Sequence, residues 1–150
     1  MVGIGYDSHR FAAGRPLILG GVEIDHPQGL EGHSDADVVT HAVIDAILGA
    51  AGRGDIGTLF PPDEAQWAGA DSIDLLRTAI GTIGGAVVNV DATIICEAPK
   101  IGPYKAQMEG LLQEATSGRV SIKATTNEGM GWIGRGEGIA CIAVAQVQDD

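Results

Sequence analysis

Hydrophobic and polar positions alternate along several stretches of this chain, as they do in half-buried β-strands. Alternation, or a short apolar run bounded by turn residues, predicts strands over 2–9, 87–96, 119–126 and 138–148. The segment 16–24 predicts a short hairpin that turns at two consecutive glycines. The chain is therefore expected to begin and end in a β-sheet.

Apolar residues recur at a helical spacing elsewhere. The first predicted helix runs from Ser34 to Ala50 and stops before a glycine-containing turn. Its apolar face consists of Val39, Val43, Ala46, Ile47 and Ala50. A second helix over 72–84 is capped by Asp71-Ser72, and a third covers 103–116. The order strand, hairpin, helix, helix, strand, helix, strand, strand predicts an α+β fold, a two-layer sandwich with helices on one face of a mixed β-sheet.

Composition limits the function classes. A length of 150 residues fits one domain over 1–150 with one core. The net charge of −11 argues against a nucleic-acid partner or an anionic membrane, because both need a basic surface. Only nine Lys and Arg are present, so a polyphosphate ligand would need metal ions to neutralise it. We see no signal peptide and no apolar stretch of membrane-spanning length, which favours a cytoplasmic protein.

The two cysteines, Cys96 and Cys141, lie in apolar, strand-like runs. Buried free thiols in a reducing compartment are the favoured interpretation, and a disulfide is the alternative.

Three polar residues in two segments suggest a metal site. Asp7 and His9 are two apart on a predicted strand, so their side chains leave the same face. His41 lies on the first helix, opposite its apolar stripe, with Asp37 and Asp45 on the same side. One carboxylate and two imidazoles suit Zn²⁺ with a fourth position open. The alternative is that these are ordinary polar residues and that His41 faces solvent; Asp45 either orients an imidazole or is an exposed carboxylate.

The start of the first helix suggests a phosphate site. Ser34, with Asp37 three residues later, fits a capping box, which explains the pattern structurally. A helix N-terminus also favours a phosphate, and His33 and Ser34 would add side-chain donors. The two interpretations are compatible.

The segment 125–128, Thr-Thr-Asn-Glu, also has the residue types of a capping box, but a glycine-rich stretch follows and predicts no convincing helix. Two hydroxyls and a carboxylate at a strand exit are better explained as phosphate and Mg²⁺ contacts. The segment 129–134, GMGWIG, satisfies G-x-G-x-x-G, but a strand and not a helix follows it, so we reject a dinucleotide site.

Taken together, the segments GYDSHRF (5–11), EGHSDADVVTHAV (31–43), APKIGP (98–103) and KATTNEGMGWIGRGEG (123–138) resemble the 2-C-methyl-D-erythritol 2,4-cyclodiphosphate synthase family. The resemblance runs essentially end to end. It implies cyclisation of 4-diphosphocytidyl-2-C-methyl-D-erythritol 2-phosphate to the cyclic diphosphate, with release of CMP. It also implies Zn²⁺ and Mg²⁺ as cofactors, with Mn²⁺ as a substitute.

The resemblance assigns roles residue by residue. It implies Asp7, His9 and His41 as zinc ligands, Glu128 as the magnesium ligand, and catalytic roles for His33 and Thr126. All of these except His41 are also implied to contact the substrate. The further substrate-binding residues it implies are Ser34, Asp55, Ile56, Gly57, Phe60, Asp63, Glu64, Ala98, Pro99, Lys100, Ile101, Gly102, Thr125, Asn127, Trp132 and Arg135. The sequence Phe-Pro-Pro-Asp-Glu at 60–64 and Trp132 depart from the family pattern.

The resemblance also implies a homotrimer around the sheets, with each active site shared by two subunits. Strand 138–148 is apolar on both faces, which agrees with sheets packed together. Three copies of Arg135 at a central channel would attract an isoprenoid diphosphate, with Trp132 and Ile133 facing its tail. The alternative is that Arg135 only pairs with Glu137.

Two other functions share part of this pattern. A zinc phosphohydrolase would use the same metal ligands with water as the nucleophile. A non-catalytic isoprenoid-binding trimer would use the segment 131–138 but would have no need of two metal sites. Because no side-chain nucleophile is evident, the favoured reaction depends on positioning and charge neutralisation.

Overall fold

The computed structural model describes residues 1–150 and contains seven strands and five helices. The strands are β1 (Val2–Ala12), β2 (Leu17–Leu19), β3 (Val22–Ile24), β4 (Gly29–Leu30), β5 (Gly85–Ile95), β6 (Arg119–Thr125) and β7 (Gly138–Asp149). The helices are α1 (Val38–Ala50), α2 (Ile56–Leu59), α3 (Ser72–Ile80), α4 (Lys105–Thr116) and α5 (Gly131–Gly134). Single 3₁₀ turns lie at Ala65–Trp67 and Gly102–Tyr104.

Five of the strands form a mixed sheet in the order β4-β1-β7-β5-β6, while β2 and β3 form a separate hairpin. Strand β7 is antiparallel to both β1 and β5, and β5 is parallel to β6. Strands β1, β5 and β6 therefore run in the same direction. Their carboxyl ends, together with the start of β7, lie at one end of the sheet. The predicted α+β fold with a mixed sheet is confirmed.

One face of the sheet is buried under helices. On β7 the buried residues alternate with more exposed ones, and Cys141, Ala143 and Ala145 point into the core. Helix α1 packs between this face and α3, and 11 of its 13 residues are buried. The predicted apolar stripe therefore understates how much of α1 is buried. The helix is surrounded by protein, and His41 is buried as well.

Two glycines of β1 let α1 approach the sheet very closely. A Cβ atom on Gly3 would lie 2.1 Å from the carbonyl oxygen of Ala46, and one on Gly5 would lie 1.9 Å from that of Ala42. Both separations are far below any van der Waals contact, and the atoms they involve are backbone atoms. The backbone of α1 therefore rests directly on that of β1.

Helix α1 begins later than predicted. Its N-cap is Asp37, whose carboxylate accepts from the backbone N–H (3.0 Å) and hydroxyl (2.7 Å) of Thr40. The capping box at Ser34 is wrong, because Ala36 has a φ of 57° and interrupts the helix before Asp37. Asp37 is fully buried and also accepts from the N–H groups of Gly20 and Gly21, both at 2.8 Å. One carboxylate thus joins the β2-β3 turn to the start of α1.

Several smaller features differ from expectation. Helix α3 ends at Ile80, four residues before the predicted end, and the third predicted helix divides into a 3₁₀ turn and α4. Strand β4 and the one-turn helices α2 and α5 were not predicted, because two to four residues carry too little periodicity. None of the helices combines the length and apolarity needed to cross a membrane.

The expectation of free, buried thiols is confirmed for both cysteines. Burial, together with the nearby charge of Glu97, raises the pKa of Cys96 to about 11. Burial likewise raises the pKa of Cys141. Both thiols therefore stay protonated and unreactive.

We expect Gly5→Ala to lower the free energy of unfolding by about 1–3 kcal/mol or more, because the new methyl group must push α1 away from β1. Denaturant unfolding followed by circular dichroism measures this change. The matched control is Gly110→Ala in α4, where a Cβ meets nothing within 4 Å. Alanine is the better helix former, so the control should be unchanged or more stable. Equal stability of the wild type and Gly5→Ala would contradict the close contact.

Candidate metal centre and active site

The residues expected to carry chemistry gather at one end of the sheet. Asp7 and His9 lie near the carboxyl end of β1, on the face that α1 covers. The turn 97–102 follows β5, and the turn 126–129 follows β6. The shared strand direction therefore brings together segments that are far apart in sequence.

Asp7, His9 and His41 converge on one point. Their ligand atoms all lie within 4.8 Å of one another. Asp7 Oδ2 is 2.7 Å from His9 Nε2 and 3.2 Å from His41 Nδ1. Alternation on β1 aims Asp7 and His9 at α1, and the close contact at Gly5 brings His41 within reach. This juxtaposition is the one that the sequence predicted.

The environment of His9 fits a cation. Its Nδ1 lies 2.8 Å from the carbonyl oxygen of Glu31, which can only accept, so Nδ1 carries a proton and donates. In the neutral ring, Nε2 then presents a lone pair. This atom is buried and makes no hydrogen bond, although it lies 2.7 Å from the carboxylate of Asp7. Two acceptors that face each other in this way leave a place for a cation between them.

His41 is oriented from its other side. Its Nε2 lies 2.8 Å from the hydroxyl of Ser72 and 3.1 Å from that of Ser34. These hydroxyls can accept a proton from Nε2, so that Nδ1 faces Asp7. The ring is not exposed, and the alternative of a solvent-facing histidine is wrong. Asp45 does not contact it, because the Asp45 carboxylate accepts from the backbone N–H of Ile56 at 2.7 Å.

The charges of the triad are coupled. Burial lowers the pKa of His41, but the hydrogen bond to Asp7 and the charges of Asp7, Asp37 and Asp35 outweigh it, so the pKa is raised. Burial raises the pKa of Asp7, but the adjacent His41 and His9 outweigh it, so the pKa is lowered. The site therefore favours an ionised carboxylate and attracts positive charge. Two nitrogens and one carboxylate oxygen form the donor set that Zn²⁺ commonly takes, with a fourth position left for another ligand.

A cavity of about 200 Å³ opens beside the triad. His33 and Ser34 line it together with His9 and His41. Its other walls are formed by Ile56, Gly57, Phe60, Pro62, Trp67 and Leu75. Thus the His-Ser pair, the Ile-Gly segment and Phe60 all reach the space next to the metal centre, as the sequence interpretation requires.

The loop 55–67 shapes this cavity by contacts of its own. Asp55 caps α2, and hydrogen bonds from the backbone N–H and the hydroxyl of Thr58 lower its pKa. Glu64, expected to contact substrate, accepts from the indole N–H of Trp67 at 3.1 Å. Trp67 packs edge-on against Phe60 with ring centroids 4.8 Å apart. Asp63 is exposed on the same loop.

A second groove, of about 410 Å³, lies at the same end of the sheet beside β5 and β6. It shares no lining residue with the first cavity. Its lining consists of Cys96, Glu97, Pro99, Lys100, Ile101, Gly102, Pro103, Ala124, Thr125 and Thr126. Ala98 is exposed next to it.

The turn after β6 is held by Glu97, a residue that sequence analysis did not select. The Glu97 carboxylate accepts from the backbone N–H groups of Asn127 (2.7 Å) and Gly129 (3.0 Å). Between them Glu128 has a φ of 53° and an exposed side chain. Thr126 Oγ1 accepts from the N–H of Glu128 at 3.2 Å, so its hydroxyl proton is free to donate.

The glycine-rich segment behaves differently from the expectation. Arg135 Nε donates to Glu137 at 2.7 Å, which is the simple alternative for this arginine. Ile133 is buried, so it is not available to line a channel, whereas Trp132 is half-buried. The one-turn helix α5 is capped at Met130 without a side-chain bond, so the segment 125–128 does not cap it.

Known proteins resemble this chain over its full length. The sequence profile of the YgbB family matches residues 1–148. A curated relative from Symbiobacterium thermophilum, named 2-C-methyl-D-erythritol 2,4-cyclodiphosphate synthase, is 58% identical, with 98% of each chain covered. A solved 2C-methyl-D-erythritol-2,4-cyclodiphosphate synthase in a CDP-bound form superposes with a TM-score of 0.89 at 33% identity, with 99% of this chain and 100% of that chain covered.

The bifunctional IspDF from Campylobacter jejuni has a TM-score of 0.92 at 39% identity. The alignment covers 99% of this chain and 42% of that longer protein. Fold, triad geometry and sequence identity therefore agree, and the chain belongs to the YgbB family, the family of the 2-C-methyl-D-erythritol 2,4-cyclodiphosphate synthases.

Proposed function

We propose that this chain, as one domain over residues 1–150, converts 4-diphosphocytidyl-2-C-methyl-D-erythritol 2-phosphate into 2-C-methyl-D-erythritol 2,4-cyclodiphosphate and CMP. An oxygen of the 2-phosphate attacks the β-phosphorus of the same molecule. The bond from that phosphorus to the oxygen bridging it to the α-phosphorus breaks, and CMP leaves with the electron pair. The observation that carries the proposal is the convergence of Asp7, His9 and His41 beside a cavity lined by His33 and Ser34.

The triad suits Zn²⁺ because His9 Nε2 is buried without a hydrogen bond and lies 2.7 Å from the carboxylate of Asp7. When bound there, Zn²⁺ would neutralise and polarise a phosphate oxygen. This resolves a difficulty of charge: the chain carries −11 and offers few cations of its own to a polyphosphate. The chain contributes fixed ligand positions, since β1 and α1 cannot move apart without losing their backbone contact.

The cavity beside the triad supports binding of the methylerythritol and phosphate end of the substrate. His33 is exposed, and Ser34 reaches the same space. Both side chains can donate hydrogen bonds to phosphate oxygens as negative charge shifts among those oxygens during the reaction. Phe60 and Ile56 provide apolar walls that exclude water from the reacting phosphorus. Exclusion of water favours cyclisation over hydrolysis by a zinc phosphohydrolase.

The groove beside β5 and β6 supports binding of the cytidine end, with the turn 98–102 around the base. Thr126 has a free hydroxyl proton to donate to a phosphate oxygen. Glu128 is an exposed carboxylate in a turn fixed by Glu97, which suits Mg²⁺, an ion held by few carboxylates together with substrate phosphates. Mn²⁺ has similar ligand preferences.

A trimer would join the two half-sites. Within one chain β1 and β6 are three strand spacings apart, roughly 14 Å. The sheet face away from the helices is uncovered and apolar: Val2 and Ile4 are each 70% exposed, and Val144 lies directly opposite Ile4. A second copy of this chain is the natural cover for such a face. The cytidine groove of one subunit would then adjoin the metal centre of its neighbour.

The proposed central channel would accept an isoprenoid diphosphate. The support for this is a pocket of about 210 Å³, lined by Ser8, His9, Arg10, Trp132 and Glu137. Arg10 and the paired Arg135 would supply positive charge near the axis, and Trp132 an apolar contact. Ile133 has no part in it because it is buried.

We expect His41→Ala to abolish zinc retention and formation of the cyclic diphosphate, because it removes one of three ligands. Elemental analysis measures the zinc, and phosphorus NMR distinguishes cyclic from linear product. His26→Ala is the matched control, since His26 lies outside the triad and stacks on Phe11. It should keep both properties. Full zinc and activity in His41→Ala, or a linear diphosphate from the wild type, would refute the assignment.

We expect Glu128→Gln to lose Mg²⁺-dependent turnover while its zinc content stays normal, because the amide is a weak Mg²⁺ ligand. The loss should be on the order of 10²–10³ in rate, typical of removing one electrostatic contact to the transferring group. Titration of activity with Mg²⁺ gives the measurement. Glu114→Gln, an exposed change on α4, is the control and should match the wild type. Unaltered Mg²⁺ dependence in Glu128→Gln would exclude the role.

We expect hybrid trimers to recover activity when His41→Ala and Glu128→Gln chains are unfolded and refolded together. A ring of shared sites gives every mixed trimer one intact site, so random mixing restores roughly a quarter of wild-type activity. The control pairs Asp7→Asn with His41→Ala, which damage the same half-site and should not complement. A fully active monomer, or no recovery in hybrids verified by mass spectrometry, would contradict the shared site.

A further inference from the structure

A buried polar chain lies behind His41, on the side away from the metal centre. His41 Nε2 is 2.8 Å from Ser72 Oγ, and Ser72 Oγ in turn hydrogen-bonds Asp35 Oδ1. Asp35 Oδ2 also accepts from the backbone N–H of Ser72 at 2.9 Å. Ser72 is fully buried. The three residues come from three places: the turn before α1, the first residue of α3, and the first turn of α1.

The donors and acceptors of these three side chains fix the direction of their hydrogen bonds. An ionised carboxylate only accepts, so the Ser72 hydroxyl must donate its single proton to Asp35. Ser72 Oγ then has only lone pairs to offer His41, and Nε2 must donate. A neutral ring carries only this one proton, so its Nδ1 presents a lone pair. Nδ1 is the atom that faces Asp7 at 3.2 Å.

Ser72 is not needed for a simpler purpose at this place, whereas Asp35 Oδ1 also accepts from the backbone N–H of Asp37 at 3.1 Å in the turn before α1. The N-cap of α3 is Asp71, which accepts from the backbone N–H of Ile73 at 2.9 Å, so the Ser72 hydroxyl is not required for capping. Asp35 Oδ1 lies 3.9 Å from His41 Nε2, too far for a direct hydrogen bond. Ser72 therefore bridges a carboxylate and an imidazole that cannot reach each other.

We propose that Ser72 and Asp35 are positioning residues for the metal centre, acting through His41. The pair fixes the ring so that Nδ1 is the ligand atom, and the carboxylate charge, passed through the hydroxyl, makes that atom a stronger donor. Histidine ligands commonly donate their second N–H to a carboxylate, a carbonyl or water. Here a serine hydroxyl connects the histidine to the carboxylate. The inference rests on the proposed function in taking the triad as the zinc site.

Ser34 provides a comparison within the same site. Its hydroxyl also lies near His41 Nε2, at 3.1 Å, but its Oγ has no carboxylate behind it. If any hydroxyl at Nε2 served equally well, the two serines would be equivalent. The polarised chain through Ser72 predicts that they are not.

The test is zinc affinity, measured without substrate by competition between the zinc-loaded protein and a chelator. Ser72→Ala should bind zinc about 10–100-fold more weakly, the usual effect of removing a partner of a ligating histidine. Ser34→Ala removes the other hydroxyl near Nε2 and should weaken binding less than about threefold. Asp35→Asn, which keeps an oxygen acceptor but loses the charge, should lie between the two.

A second measurement starts from the wild type. In the zinc-loaded wild type, nitrogen-15 NMR of the histidines should show a slowly exchanging Nε2–H from His41. His9 supplies an internal reference, because its Nδ1–H donates to Glu31 and does not involve Ser72. In Ser72→Ala the His41 signal should exchange rapidly while the His9 signal persists. If Ser72 had a purely structural role, the N–H signals of His41 and His9 would change alike in Ser72→Ala.

The outcomes separate this inference from the proposed function. A wild type that binds no zinc overturns the metal centre itself. A wild type that binds zinc, with Ser72→Ala binding it as tightly or with Ser34→Ala losing as much, overturns only the positioning role. Rapid exchange of the His41 Nε2–H in the loaded wild type would overturn it as well, even if Ser72→Ala did not fold.

Discussion

The backbone contact between α1 and β1 is the constraint on which the rest of the site depends. Gly3 and Gly5 remove the side chains that would separate the two elements, and the carbonyl groups of Ala42 and Ala46 occupy that space. Asp7 follows on the same face of β1, two residues beyond Gly5. His41 is adjacent to Ala42 on the helix, so the glycine contact and the carboxylate–imidazole contact are one geometric arrangement. A wider helix–sheet separation would leave Asp7 and His41 too far apart to share a cation.

Three carboxylates near this contact differ in their hydrogen-bond partners. Asp37 is buried with four donors and ties the β2-β3 turn to the start of α1. Asp35 receives both the N–H and the hydroxyl of Ser72. Asp7 alone is left with imidazoles in place of N–H or hydroxyl donors. Burial makes such a carboxylate costly unless positive charge is nearby, and this is why the centre attracts a cation.

The groove proposed to bind the other half of the substrate also depends on a carboxylate, at the far side of the sheet. Glu97 fixes the turn after β6 through two backbone N–H groups, and the exposed Glu128 projects from that turn. Because β1, β5 and β6 point in one direction, both halves open at the same end of the molecule. They remain separate within one chain, while an apolar sheet face is left uncovered. In the proposed trimer, assembly through that face would bring the two halves to one substrate.

Much of this protein could be predicted from its sequence. Alternation gave the long strands, and the i, i+2 spacing of Asp7 and His9 put both on one face, because side-chain direction in a strand is a local property. Residue type indicated His41 as a third ligand, and the structure brings it to Asp7 and His9; the role of Glu128 stays a prediction. The sequence did not reveal that Asp37 rather than Ser34 caps α1, since a φ of 57° at Ala36 comes from the surrounding packing. It also did not reveal the distant partners of Ser72, Asp35 and Glu97, which lie 30 to 37 residues away. Polar side chains of this kind are common in turns and at helix starts, and only the tertiary structure decides which of them meet a buried histidine or a backbone N–H.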